Sequence, residues 1–419
     1  MLKRNYSKLL IAMMATNSLS AAEFIPEIWQ NPYLGIQVAD YKDIPLSQRP
    51  GFDTPLSWSP NGRFLIYRDG NDGQLSHVIK TYDKVTNQTK YFGKLYECNH
   101  IAWSPDGDKI AITSHFDHAN VLIIELSTNR TYHLKFDEEV VSKINQLAWS
   151  SDGKYLAAGL DFYMFFQRYQ PDYTGDTMFV VWQPSKDLKP VAVGKLAPKI
   201  KHTERNYSTC SIAWTPDNKQ IISSLYSWHT NATYENSADF VIWNINYIGD
   251  DINSIKPSKF ITDNKRDNSS FGRSIHSSPA FWAGIANHYD TTDTHSWNIN
   301  IHSFTNKIVR QIPIDSICHA NLDDYVAFSP DGKFIAHAGS RSRLLITPTL
   351  NENAEPITIY FGKDNKIYSV VWSPDNESIV VRHSSHEGNI PKMSIFSVRP
   401  SISPKALLRY QLSGRRATL

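Results

Sequence analysis

The stretch Ile101-Ala102-Trp103-Ser104-Pro105-Asp106-Gly107-Asp108-Lys109-Ile110 decides the reading of this chain, because it recurs. Variants of it stand around Trp58 (LSWSPNGRFL), Trp149 (LAWSSDGKYL), Trp214 (IAWTPDNKQI), Phe328 (VAFSPDGKFI) and Trp372 (VVWSPDNESI). The intervals between them are 45, 46, 65, 114 and 44 residues. The longest gap suits two units, and a degenerate copy, SIHSSPAFWAGIA at 274–286, lies inside it. Six clear units and one eroded unit at this period are the signature of a repeat architecture.

Each unit reads as strands. In the second unit a short apolar strand runs into Ser104-Pro105-Asp106-Gly107, where Pro presets φ, Asp tolerates the third turn position and Gly takes the left-handed one. Lys109–Ser114, Asn120–Leu126 and Thr131–Phe136 follow as three more strands. Four antiparallel strands per unit make one blade of a β-propeller. Ile110-Ala111-Ile112 is apolar at consecutive positions, as a strand covered on both faces requires. The expected fold is therefore all-β, a propeller of seven four-stranded blades over residues 54–412, with six or eight blades as alternatives. A linear solenoid would need polar capping units, and a closed ring does not. Residues 23–53 precede the first unit, and Tyr33–Val38 and Ala406–Leu412 compete for the outermost strand of the last blade. Residues 413–419 form a short basic tail.

The phrase [I/L/V]-A-W-S-P-D-G-x-x-[I/L] resembles the WD40-like repeats of TolB-type propellers, and the resemblance covers nearly the whole chain after its N-terminal segment. Ordinary WD40 repeats are the near rival. None of the 11 tryptophans is followed by Asp, and no Gly-His pair occurs; Trp182 and Trp243 stand where a Trp-Asp pair would be expected. TolB carries an additional α/β domain before its propeller. Here the first unit begins near Pro55, so the resemblance implies a stand-alone propeller of the cell envelope or the exterior, not TolB itself. It specifies a fold and leaves activity open.

Residues 1–22 carry Lys3, Arg4 and Lys8, the apolar run Leu9–Ala15 and a small-residue site at Ser20-Ala21-Ala22. This is the layout of a secretory signal, with an apolar run too short to span a bilayer. A periplasmic or secreted protein is expected, the rival being an uncleaved cytosolic N-terminus. The whole chain has a formal charge of +2, and removing the segment leaves 40 basic against 41 acidic residues. That balance argues against a nucleic-acid partner. No other stretch is apolar and long enough for a transmembrane segment. Cys98, Cys210 and Cys318 fall in different units and lack CxxC spacing, so free thiols are expected in place of a disulfide framework.

No HExxH, GxSxG or Walker-type loop is present. The short segment after the last unit leaves no room for an α/β-hydrolase domain. The Asp residues of the repeated turns read as turn formers. Histidines cluster in HFDH (His115, Asp117, His118), in HSSHE (His383, His386, Glu387) and around His288, Asp290, Asp293 and His295. One loop cannot show three or four converging ligands, so no metal, cofactor or catalytic residue is assigned.

Loop length breaks the symmetry of the ring. The connections between second and third strands are long in units three, four and five, over Asp161–Thr177, Ser227–Ala238 and Asn287–His295. They carry Phe162, Tyr163, Phe165, Phe166, Arg168, Tyr169 and Tyr173, then Trp228 and Tyr234 (with Tyr226 just before), then Tyr289 and Trp297. Aromatic rings with an arginine are the residue types that anchor protein and carbohydrate ligands. The competing reading is that these rings pack on one another. The leading expectation is a monomeric module that binds another protein through this face of blades 3–5. The alternatives are a propeller enzyme using the central funnel, with His100, His276 and His319 near inner strands, and a cytosolic WD40-type scaffold.

Overall fold

A computed structural model describes residues 26–401, apart from 47–54, 72–75, 97, 115–119, 137–142, 162–176, 197–205, 210, 225, 229–239, 262–271, 290–294, 306, 315–325, 340–341, 364 and 385–390. Among the described residues there is no helix, and the strands form seven blades of four antiparallel strands.

Blade 1 runs through Leu56–Trp58, Phe64–Asn71, Ser76–Asp83 and Gln88–Tyr96 from the channel outward, and blade 2 through Ile101–Trp103, Lys109–Ser114, Asn120–Glu125 and Arg130–Lys135. Blade 3 comprises Lys143–Trp149, Leu156–Asp161, Thr177–Trp182 and Pro190–Lys195; blade 4 comprises Ile212–Trp214, Gln220–Ser224, Phe240–Ile248 and Asp251–Ile261. Blade 5 is the eroded unit, with Gly272–Ser277, Phe281–Tyr289, His295–Ser303 and Ile308–Ile314. Blade 6 has Val326–Phe328, Phe334–Gly339, Arg343–Pro348 and Ile357–Tyr360, and Glu27–Trp29 adds a fifth strand to its outer edge. Blade 7 takes Ile367–Trp372, Ser378–Ser384 and Pro391–Pro400 from the end of the chain and Ile36–Pro45 from its beginning. The outer strand of blade 7 is thus N-terminal, while 402–419 lie outside the described residues.

The repeated phrase folds the same way in six blades. In blade 2 the Ser104 hydroxyl donates to Asp106 Oδ1 at 2.5 Å, and that carboxylate also accepts the Asp108 amide at 3.0 Å. The Lys109 amide returns to Ser104 Oγ at 2.8 Å, and Gly107 sits at φ 74°. The same Ser/Thr-to-Asx bond joins Ser59 to Asn61, Ser150 to Asp152, Thr215 to Asp217, Ser329 to Asp331 and Ser373 to Asp375. Asn218 and Asn376 replace Gly at the left-handed position, where Asn is the best-tolerated alternative. The Asp side chain is therefore a hydrogen-bond hub as well as a residue that tolerates the turn. Burial opposes ionisation of Asp106, but the bonds from Ser104 and Asp108 and the charge of Lys109 outweigh it and lower its pKa.

Between blades lie apolar layers. Ile110 and Ile112 pack with Ile66 and Ile79 of blade 1, while Ala111 packs with Leu147 and Trp182 of blade 3. Successive side chains of a strand point to opposite faces, and here both faces meet a neighbour, which explains the unbroken apolar run. Tyr155, Phe179, Trp214 and Trp243 join blades 3 and 4; Ile222, Phe240 and Trp282 join blades 4 and 5. One large cluster spans blades 5, 6 and 7, and Leu65, Tyr67, Val380 and Met393 join blade 7 to blade 1. Every neighbouring pair shares an apolar layer, so the ring is closed.

Candidate functional site

Two places qualify, one on each side of the ring. On the side of the second-to-third connections, 162–176 and 229–239 lie outside the described residues, and with them Phe162, Tyr163, Phe165, Phe166, Arg168, Tyr169, Tyr173 and Tyr234. The backbone that carries the other expected residues is more ordered than the loop reading implied. Tyr226–Trp228 is a strand that pairs with Asn206–Ser208, with Trp228 opposite Asn206. In blade 5 the ladder continues to Asn287 opposite Trp297 and Tyr289 opposite His295, which shortens the expected Asn287–His295 connection to 290–294.

The two-stranded sheet of blade 4 is a built arm. The Thr209 amide, just after its first strand, donates to Leu160 O of blade 3 at 2.9 Å. Gly159 permits this approach, because a Cβ there would lie 3.0 Å from Thr209 Cγ2 and 3.1 Å from its carbonyl oxygen. Asn145 Nδ2 donates to Thr209 O from the same blade. The arm is thereby seated on blade 3, and it leads into the segment 229–239.

On the side of the repeated turns a cavity of about 490 Å³ opens along the channel. Pro60, Pro105 and Pro374 rim it, Trp58, Trp103 and Trp149 wall it, and His100, Gln146 and His276 reach it from the inner strands. Two of the three histidines expected at the funnel are therefore brought together, and His319 lies outside the described residues. Burial, reinforced by the nearby His276, pushes the His100 pKa down to about 4, so its imidazole is neutral at pH 7. Among the described residues no group of three His, Cys, Asp or Glu side chains converges as metal ligands would.

Sequence reasoning missed a ladder of bonds between inner strands. The Leu147 amide of blade 3 donates to His100 Nδ1 of blade 2 at 3.3 Å. The Ile212 amide of blade 4 donates to Gln146 Oε1 of blade 3 at 2.7 Å, and the Ile275 amide of blade 5 to Ser211 Oγ of blade 4 at 2.7 Å. The acceptors stand three residues before Trp103, Trp149 and Trp214, one position that presents His, Gln or Ser to the next blade. A second tier runs from Trp149 Nε1 to Ala102 O at 3.3 Å and from Trp214 Nε1 to Ala148 O at 2.9 Å. An inner strand is a sheet edge, and its unpaired groups need partners when buried. The signal was in the repeat: a polar residue recurs at a fixed offset from an indole inside an apolar strand.

His383, expected in a connection as part of HSSHE, is instead a buried residue of the second strand of blade 7. Its Nε2 lies 2.8 Å from Ser394 Oγ and its ring centre 4.4 Å from that of Phe361. In the ladder it stands opposite Lys392, and His386 and Glu387 lie outside the described residues. Cys98 is a buried free thiol whose pKa burial raises to about 12; Cys210 and Cys318 are outside the described residues.

No protein-family model and no curated protein sequence matches the chain. Solved structures do. A chain of Kuenenia stuttgartiensis hydrazine synthase superposes with a TM-score of 0.55 at 15% identity, over 83% of this chain and 96% of that one. A chain of the mitotic checkpoint complex superposes with a TM-score of 0.52 at 12% identity, over 94% and 98%. At these identities the likeness is one of fold, and the chain is a seven-bladed β-propeller.

Proposed function

We propose that this propeller is an exported binding module whose partner is another protein, held on the face where blades 3–5 extend beyond the ring. The observation that carries this reading is the arm Asn206–Ser208 with Tyr226–Trp228, seated on Gly159 and Leu160. It gives the aromatic connections a rigid base on one sector of one face, the arrangement by which scaffolds present binding loops. The blade 5 hairpin, carried to Tyr289 and His295, raises the same sector. The charged start and apolar run of residues 1–22 support export, and the Trp-Ser-Pro-Asp-Gly phrase without a Trp-Asp pair supports kinship with TolB-type propellers.

Deleting Tyr163–Tyr173 tests the interaction. Capture of the native partner from envelope extracts should be lost while the thermal midpoint stays close to that of the intact chain. A collapse in stability would assign those rings to packing. N-terminal sequencing of the expressed mature protein tests export, and an intact Met1 would favour the cytosolic scaffold.

The cavity of about 490 Å³ supports a second reading, a small-molecule site. Its aromatic walls and few convergent polar groups are the usual make-up of ligand pockets. His276→Leu should then abolish small-molecule binding and leave partner capture intact.

A further inference from the structure

The cavity walled by Trp58, Trp103 and Trp149 keeps donors without protein partners. His100 uses Nδ1 to accept the Leu147 amide at 3.3 Å, so its proton sits on Nε2. Burial first, then the nearby His276, holds that imidazole in its neutral form. Gln146 uses Oε1 for the Ile212 amide and the Ser211 hydroxyl, which leaves the two N–H groups of its Nε2. Among the described residues neither Nε2 has a protein partner, and neither is a sealed atom, so both open on the cavity that these side chains line.

The walls are indoles. Trp149 donates from Nε1 to Ala102 O at 3.3 Å, which seats it on blade 2, one residue from Trp103. Trp58 and Trp103 lack that bond, for each Nε1 is buried and has no partner. The seating of indoles on the preceding blade thus stops where the cavity opens. Among the described lining residues there is no Asp, Glu, Lys or Arg, and the one side-chain hydroxyl is that of Ser57. A charged ligand would lose its hydration here with no opposite charge to meet. Each hydroxyl of a sugar would bring a donor to walls that already supply donors. Carbonyl oxygens only accept, and a flat ring stacks well on indoles.

We infer that this cavity binds an uncharged, flat ring compound bearing carbonyl oxygens, of the quinone class, with His100 Nε2 and Gln146 Nε2 donating to those oxygens. Trp58, Trp103 and Trp149 cover its apolar body. The inference rests on the reading of the cavity as a small-molecule site and adds the chemistry of the occupant. The volume of about 490 Å³ lies within the ordinary range of ligand pockets.

Equilibrium dialysis of the full chain against duroquinone tests it, since every ring carbon of that compound is substituted and none is open to addition by a thiol. Durene, the same methylated ring without carbonyls, and chitobiose, an uncharged hydroxyl-rich sugar, are the comparators. Duroquinone should bind about tenfold tighter than durene, the effect of one or two added hydrogen bonds, and chitobiose should not bind. Gln146→Glu and His100→Asn each keep the acceptor that the next blade uses and lose the donor on the cavity. Either should bring duroquinone affinity down to that of durene and leave durene binding unchanged. Should a variant fail to fold, a crystal structure of the duroquinone complex provides the second reading, with a ring oxygen within hydrogen-bond distance of His100 Nε2 or Gln146 Nε2. Equal binding of duroquinone and durene, preference for chitobiose, or ring oxygens turned away from both nitrogens would overturn the inference and leave the cavity a small-molecule site. Binding of none of the three would overturn it as well, and the small-molecule reading would then be judged on His276→Leu alone.

Discussion

Gln146 Oε1 accepts the main-chain amide of Ile212 at 2.7 Å, and the Ser211 hydroxyl donates to the same oxygen. One side chain of blade 3 thus answers two donors of blade 4, and Ser211 Oγ in turn accepts the Ile275 amide of blade 5. On the opposite arc Arg382 reaches Arg68 O, and Arg68 Nη1 reaches Cys98 O at 2.9 Å. Polar contacts therefore run from blade 7 through blade 1 to blade 2, and from blade 2 to blade 5, behind the apolar layers. Hydrophobic burial holds the blades together, and these bonds fix how each is aligned with the next.

Replacing Gln146 by Leu should therefore be costly although it suits an apolar strand. It strands two buried donors, at about 1–3 kcal/mol for each group left without a partner. Chemical denaturation should show a lowered midpoint with an unchanged slope. Gln146→Glu, which keeps the acceptor, should retain most of the stability at neutral pH. An unaltered midpoint in Gln146→Leu would remove the ladder from the list of stabilising features.

The repeated turns were legible because their chemistry is local: every bond of the turn lies within the six residues from Ser104 to Lys109 and their counterparts in the other blades. Blade 5 was legible despite its erosion, since Ser278 still closes its turn onto the Phe281 amide. Glu27–Trp29 was not legible as a fifth strand of blade 6. It pairs through three residues with Thr358–Tyr360, more than three hundred positions away, and its main-chain bonds leave no pattern in so short a run. The inter-blade acceptors escaped for a related reason: His100, Gln146 and Ser211 share a role and no chemistry beyond accepting a main-chain amide of the next blade. The aromatic positions of blades 3–5 were visible in composition, yet what they touch depends on contacts that no local pattern records.

Acid should destabilise the ring through its buried imidazoles. His337 is 1% exposed; burial first, then the charge of Arg310, pushes its pKa down to about 4, against the opposing bond to Ala338 O. In the unfolded chain it returns to about 6.5. Between those values the unfolded state takes up a proton that the native state refuses, so stability rises with pH and is lost as pH falls from 6.5 towards 4. The full loss is on the order of 3 kcal/mol for this one group. His337→Met should flatten the pH dependence of unfolding in that window by up to one proton. An equally steep profile in the variant would assign the acid sensitivity elsewhere.

Gly284 should resist substitution. A Cβ there would lie 2.2 Å from Phe240 Cζ and 2.6 Å from its Cε1, and Phe240 is fully buried with its ring edge-on to Trp282 at 5.2 Å. Gly284→Ala should lose about 1–3 kcal/mol, the usual range for forcing atoms into a packed core. Phe240→Leu, harmful alone because it opens space, should cost less in the Gly284→Ala background. A double-mutant cycle with additive effects would show that the two residues do not compete for the same volume.

The N-terminal strands should separate into one dispensable and one essential for closure. Glu27–Trp29 adds a fifth strand by three paired residues, whereas Ile36–Pro45 completes blade 7 by nine pairs with Pro391–Pro400. The second contact is reinforced by the Ser394 hydroxyl on Asp43 at 2.5 Å, by Arg399 on Asp40 at 3.1 Å and by Tyr41 stacked on Phe396. A chain beginning at Gly35 should keep a cooperative transition near that of the longer protein. One beginning after Leu46 leaves a ten-residue edge strand bare, and long exposed edges recruit other chains. It should aggregate on heating, and a synthetic peptide of residues 26–46 added in trans should restore a monomeric, cooperative species. If the shorter chain proved as stable and as soluble without the peptide, the ring would not depend on joining its two ends within one blade.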